Sequence, residues 1–125
     1  MISVLPIRVT TTGSAGSATG TGQTARPVRG RVLGVYFNFH ASAPGATTDT
    51  TLRTKGQAAP SYNIVALTNT VTDIYVAPAA KPVDSANAAI TNAFVPFVVA
   101  DYLEVAVAQC DALTDAVVAT VIVEE

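Results

Sequence analysis

The segment Asp101-Tyr-Leu-Glu-Val-Ala-Val-Ala-Gln-Cys-Asp-Ala-Leu-Thr-Asp-Ala-Val-Val-Ala-Thr-Val-Ile-Val-Glu-Glu125 decides the fold class. Leu103, Val105 and Val107 alternate with Tyr102, Glu104 and Ala106, the period of a strand with one buried face. Beyond a short polar turn, Val117, Ala119, Val121 and Val123 repeat the alternation. The segment predicts two strands, 101–109 and 116–124, paired antiparallel.

Upstream, the same period recurs between breakers. Residues 2–12 read as a first strand, and 24–40 as the longest one. In the long strand Leu33, Val35, Phe37 and Phe39 form the expected core face, with Gly30, Val32, Gly34, Tyr36 and Asn38 opposite. A bulge or a close neighbouring backbone would explain Gly30 and Gly34. Gly13 to Gly22 (GSAGSATGTG) reads as a flexible loop with nothing to bury. Ala41 to Ala46 is a turn carrying Pro44-Gly45. Thr48 to Lys55 reads as a polar strand at an edge or facing solvent, ended by a break at 56–61. Tyr62 to Thr68 and Thr72 to Ala77 read as a hairpin about Asn69-Thr70. Residues 78–92 are irregular, with one helical turn capped by Asp84, and Phe94 to Val99 is a short strand holding Pro96. About eight strands with regular turns predict an all-β, single-domain antiparallel β-sandwich or jelly roll. Residues 1–12 form its N-terminal strand or arm, 13–22 a flexible Gly/Ser-rich loop, and 24–125 the body.

Composition agrees with a packed sheet protein. Of 125 residues, 50% are apolar and 13% charged, which excludes disorder of the whole chain. The apolar residues are mostly Val and Ala, with no Trp, so a thin core of small side chains is expected rather than a deep pocket. Cys110 is the single cysteine, so no intrachain disulfide is possible. The apolar stretch Ile2 to Ile7 is broken by Pro6 and too short for a secretion signal. The run Ala93 to Ala100 falls far short of the roughly 20 residues of a membrane helix. The expectation is a soluble protein made in a cytoplasm, with no membrane partner. Residues 1–55 hold six basic residues against Asp49, whereas 56–125 hold Lys81 against eight acids. The arginines are dispersed and the whole chain is acidic, so no nucleic-acid partner is expected; a polarised particle that docks on neighbours fits better.

Few residues could carry chemistry. His40, the only histidine, would need carboxylates to complete a metal site, and a strand-end residue is the plainer reading. Cys110 would need His40 as its base from across the fold; a structural thiol is plainer. Gly20-Thr-Gly22-Gln-Thr-Ala25 matches a G-x-G-x-x-A pattern, but no strand precedes it and Pro27 follows where a helix should open. Asp111 and Asp115 flank the last turn, which lacks the Gly and Glu of a calcium loop. No catalytic residue, metal or cofactor is therefore expected. Surface contact is the better prospect. Arg26, Arg29 and Arg31 cluster before the long hydrophobic stretch, and Arg29 and Arg31 share a strand face able to clamp carboxylates on a neighbouring subunit. Met1 to Val9 could join a partner by strand addition. The interface candidates are Ile2, Val4, Leu5, Ile7, Arg8, Arg29 and Arg31.

Three stretches in order carry a resemblance: Pro27-Val-Arg-Gly-Arg-Val-Leu-Gly-Val-Tyr-Phe-Asn-Phe-His-Ala-Ser-Ala-Pro-Gly-Ala-Thr-Thr-Asp-Thr-Thr-Leu52, Thr70-Val-Thr-Asp-Ile-Tyr-Val-Ala-Pro78, and the closing segment 101–125. Over roughly residues 24–125 the chain resembles the capsid decoration, or cement, proteins of tailed bacteriophages. The resemblance implies a virion structural protein, a homotrimer on the outside of the phage head that binds the major capsid protein and stabilises the capsomer lattice. It implies no catalytic residues. The alternative is a non-catalytic β-sandwich binding module, carbohydrate-binding or adhesive. Such modules use aromatic platforms, whereas the four tyrosines here lie in four separate segments.

Overall fold

The computed structural model describes residues 1–42, 44–57 and 61–125. The expected turn at 41–46 and break at 56–61 therefore fall partly outside the described residues. The described residues form nine strands: β1 (Ile2–Val9), β2 (Ala18–Gln23), β3 (Val28–Phe39), β4 (Asp49–Thr54), β5 (Asn63–Leu67), β6 (Ile74–Val76), β7 (Phe97–Asp101), β8 (Leu103–Cys110) and β9 (Val117–Glu124). They form two antiparallel sheets. The larger runs β1-β9-β3-β6, with β7 also paired to β3, and the smaller runs β2-β8-β4-β5. The described residues hold no helix.

The pairing is nested: β4 with β5, β3 with β6, β2 with β8, and β1 with β9. With β7 set aside, eight strands form one long hairpin wound into two sheets, the jelly-roll arrangement. The all-β sandwich expected from the alternation is thus the fold, with β2 as its ninth strand. The core lies between the sheets, with Ile7, Val9, Val32, Val35, Phe37, Leu52, Leu103, Val105, Val117 and Val121 all fully buried.

Five local expectations are corrected. First, β8 and β9 do not pair; they lie in different sheets, as do β5 and β6. An alternating strand buries its apolar face equally well beside its neighbour or across the core from it, so alternation cannot distinguish a hairpin from a sheet crossing. Second, β4 is a central strand between β8 and β5, with Thr50, Leu52 and Thr54 buried. Threonine packs like valine here, and its hydroxyl is mostly satisfied locally: Thr54 Oγ1 accepts from Tyr62 N at 3.1 Å and Thr48 Oγ1 donates to Gly45 O at 2.7 Å. Thr50 Oγ1 is buried without a partner among the described residues.

Third, the Gly-rich stretch is not a loop throughout, because its second half is β2, paired with β8. A Cβ at Gly20 would collide with the carbonyl of Thr10, and one at Gly22 with that of Arg8. The glycines let β2 cross the outer edge of β1 at backbone distance, closing that side of the sandwich. Fourth, the phase of β3 shifts at a bulge between Val32 and Gly34. Val32, expected outside, is fully buried, whereas Leu33, expected inside, is only half-buried. Asp84 caps a tight turn rather than a helix, its Oδ1 accepting from Ala86 N at 2.8 Å and Ala88 N at 3.0 Å.

Two substitutions test this packing by urea denaturation. Gly22→Ala should lower stability by about 1–3 kcal/mol, because the obstruction is backbone and cannot swing aside. Thr50→Val, which removes an unsatisfied buried hydroxyl, should raise stability by about 1 kcal/mol.

Candidate functional site

Strand alternation divides the interface candidates. On β1, Ile2, Val4 and Arg8 point outward and are exposed, while Ile7 is fully buried and Leu5 packs partly against the core. Leu5 and Ile7 are therefore core residues, a correction that follows from the period of two. Arg29 and Arg31 project from the same outer surface, through β3. The N-terminal segment is no loose arm, since all eight residues of β1 pair in register with β9. Met1 N donates to Glu125 O at 2.8 Å and Glu125 N to Met1 O at 2.9 Å.

The arginines are largely engaged within the chain. Arg31 forms an ion pair with Glu124, its cross-strand neighbour. Arg26 grips Glu125 through two hydrogen bonds of 2.6 and 2.8 Å, and Arg8 meets Asp115 at 3.3 Å. The carboxylates that the arginines were expected to find on a neighbour are thus supplied by the chain's own last turn and strand. Among the described residues, Arg29 is the arginine with no ion-pair partner.

The strand register arranges the outer face of the larger sheet in rows. One row runs Ile2, Glu124, Arg31, Val98; the next Val4, Ile122, Gly34; the third Pro6, Thr120, Tyr36, Tyr75. Val4 is 60% exposed, Val98 68% and Tyr75 53%. Tyr36 and Tyr75, far apart in sequence, are direct cross-strand partners. The hydroxyl end of Tyr75 lies over Gly34, where any Cβ would strike the ring. The missing side chain thus makes the slot in which the tyrosine lies along the sheet. Gly34, set on the outer face by the sequence, was the one signal that an aromatic neighbour would need room there.

Residues suspected of chemistry are used structurally. His40 Nδ1 accepts from Ser42 N at 3.0 Å, and its backbone N–H donates to Ala116 O at 2.9 Å. The Cys110 thiol is fully buried and donates to Asp111 O at 3.1 Å. Gly20 and Gly22 lie in β2, with no helix following. Asp111 Oδ1 accepts from Gly16 N at 3.0 Å, tying the first loop to the last turn. A cavity of about 190 Å³ opens where the sheets meet, bounded by Thr54, Tyr62, Val98, Val99, Ala100 and Asp101. Its polar groups are occupied. The Asp101 carboxylate accepts from Gly56, Gln57 and Tyr102 N–H groups, and the Tyr62 hydroxyl donates to Val98 O at 2.5 Å. Burial, then the Asp101 charge, raises the Tyr62 phenol above its ordinary range.

No protein-family model matches the sequence, and no curated protein matches it. Among solved structures, the family 32 carbohydrate-binding module of Clostridium perfringens NanJ, in complex with galactose, is 9% identical at a TM-score of 0.43, covering 88% of this chain and 69% of that one. A family 32 module from a family 31 glycoside hydrolase of Clostridium perfringens is 6% identical at 0.42, covering 89% and 72%. The enzymatically active domain of bacteriophage CBA120 tailspike protein 4 is 13% identical at 0.33, covering 98% of this chain and 19% of that one.

The Arg26–Glu125 clamp has a pH signature. Hydrogen bonding to Arg26 leads the causes that hold the Glu125 carboxyl at about 2, below its ordinary 4.5. A depressed carboxyl pKa contributes stability that is complete above 4.5 and lost as pH falls toward 2. Thermal melts of Glu125→Gln should therefore vary less between pH 4.5 and 2 than those of the native chain, and equal slopes would refute the clamp.

Proposed function

We propose that this chain is a non-catalytic β-sandwich binding module that acts through the outer face of its larger sheet. One observation carries the reading: Ile2, Val4, Tyr36, Tyr75 and Val98 stand exposed together on that face. An apolar group with a polar rim on an otherwise well-packed domain marks a contact surface. The groups that might do chemistry are instead spent on turns and strand ends, as His40, Cys110, Asp111 and Asp115 show. The jelly-roll frame serves lectin and viral capsid domains alike, so it does not choose the partner.

A second reading, capsid decoration, is favoured by the segment before β7. Val83, Ile90, Phe94 and Val95 are all exposed there, and Phe94 is 65% accessible. So many apolar side chains on one irregular segment fit burial against a protein lattice. In this reading the chain is a trimer on the outside of a phage head, made in the bacterial cytoplasm. It holds the major capsid protein by mass action, since a ligand of the assembled shell stabilises that shell.

The double variant Val4→Asp, Val98→Asp tests the outer sheet face without touching the core. Its melting temperature should match that of the native chain. Co-sedimentation with expanded phage shells and with insoluble polysaccharides should show the native chain retained by one of them and the variant lost. Retention by shells alone selects decoration. A native chain that binds neither, or a variant that binds like it, removes this face as the contact surface.

A further inference from the structure

We infer that the Tyr36–Tyr75 platform takes the ring of a neutral saccharide, stacked on Tyr75 and held at its edge by the Arg31–Glu124 pair. This rests on the outer sheet face being the binding surface. The geometry begins at Gly34. The tip of Tyr75 lies over that glycine, and the side chain is 53% exposed, so the ring extends along the sheet and remains open to solvent. Tyr36, 41% exposed, stands beside it as cross-strand partner and widens the aromatic surface. Ile122 lies in the adjacent position of β9, opposite Gly34.

Polar groups border this surface at the distance of a sheet row. Arg31 and Glu124 flank the Gly34 row on one side, and Thr120 and Asn38 lie in the Tyr36 row and the row beyond. Arg31 Nη2 and Glu124 Oε1 bind each other. Both side chains are partly exposed, and among the described residues no other side chain engages the second carboxylate oxygen or the remaining guanidinium N–H groups. The two charges of the pair offset each other, so this edge offers directed donors and acceptors with no net charge of its own. An apolar disc with a neutral hydrogen-bonding rim complements a pyranose ring, whose C–H face is apolar and whose edge carries hydroxyls.

The test is affinity electrophoresis and titration calorimetry of the full chain against neutral hexose, pentose and N-acetylhexosamine oligosaccharides. Tyr75→Ala should weaken binding roughly tenfold, the scale of one aromatic contact, with an unchanged melting temperature. Tyr75→Phe, which keeps the ring, should retain binding, and Glu124→Gln should weaken it without abolishing it. No binding to any of these sugars, or equal binding by Tyr75→Ala, overturns the proposal. If sugars fail but expanded shells still bind and lose the Val4→Asp, Val98→Asp variant, the surface reading survives and only the saccharide falls.

Discussion

The structure depends on β9. Its eight residues pair with β1 along one edge, in register from Val117 to Glu124, and with β3 along the other, where the register shifts at the Val32–Gly34 bulge. Because β1 opens the chain, this one strand joins both ends of the sequence and closes the outermost turn of the nested hairpin. Its inner residues Val117, Ala119, Val121 and Val123 are all fully buried. Its outer residues Ile122 and Glu124 form the middle of the candidate binding face. A shift of one residue in β9 would exchange core and surface together. The terminal clamps of Glu125 to Arg26 and to Met1 oppose that slip at the strand's end.

Glycine controls both sides of this framework by absence of volume. At Gly20 and Gly22 it lets β2 ride against the carbonyls of Thr10 and Arg8, so the chain itself meets the C-terminal end of the β1 edge. At Gly34 it admits the Tyr75 ring to the sheet surface. The first closes the fold, and the second shapes the face through which the chain is proposed to act.

The arginines and acids, which the charge map separates into opposite halves of the sequence, meet in pairs in the folded molecule. Arg31 with Glu124, Arg26 with Glu125 and Arg53 with Glu104 each join the basic half to the acidic half. Exposed pairs of this kind add little stability singly. Their larger consequence is that Arg26 and Arg31 meet their counter-charges within the chain, in its last two residues.

The period of two in residues 103–107 and 117–123 determined the fold class and the inner faces of β8 and β9. Period does so because side-chain direction is a local property of an extended backbone. Whether β8 pairs with β9 or faces it across the core, whether a threonine strand lies at an edge or in the centre, and where the bulge at Leu33 reverses the phase were decided by tertiary structure. These depend on what lies opposite, which no local pattern encodes. The tyrosine pair is the clearest instance: Tyr36 and Tyr75 are 39 positions apart in sequence, and only the β3–β6 register makes them neighbours.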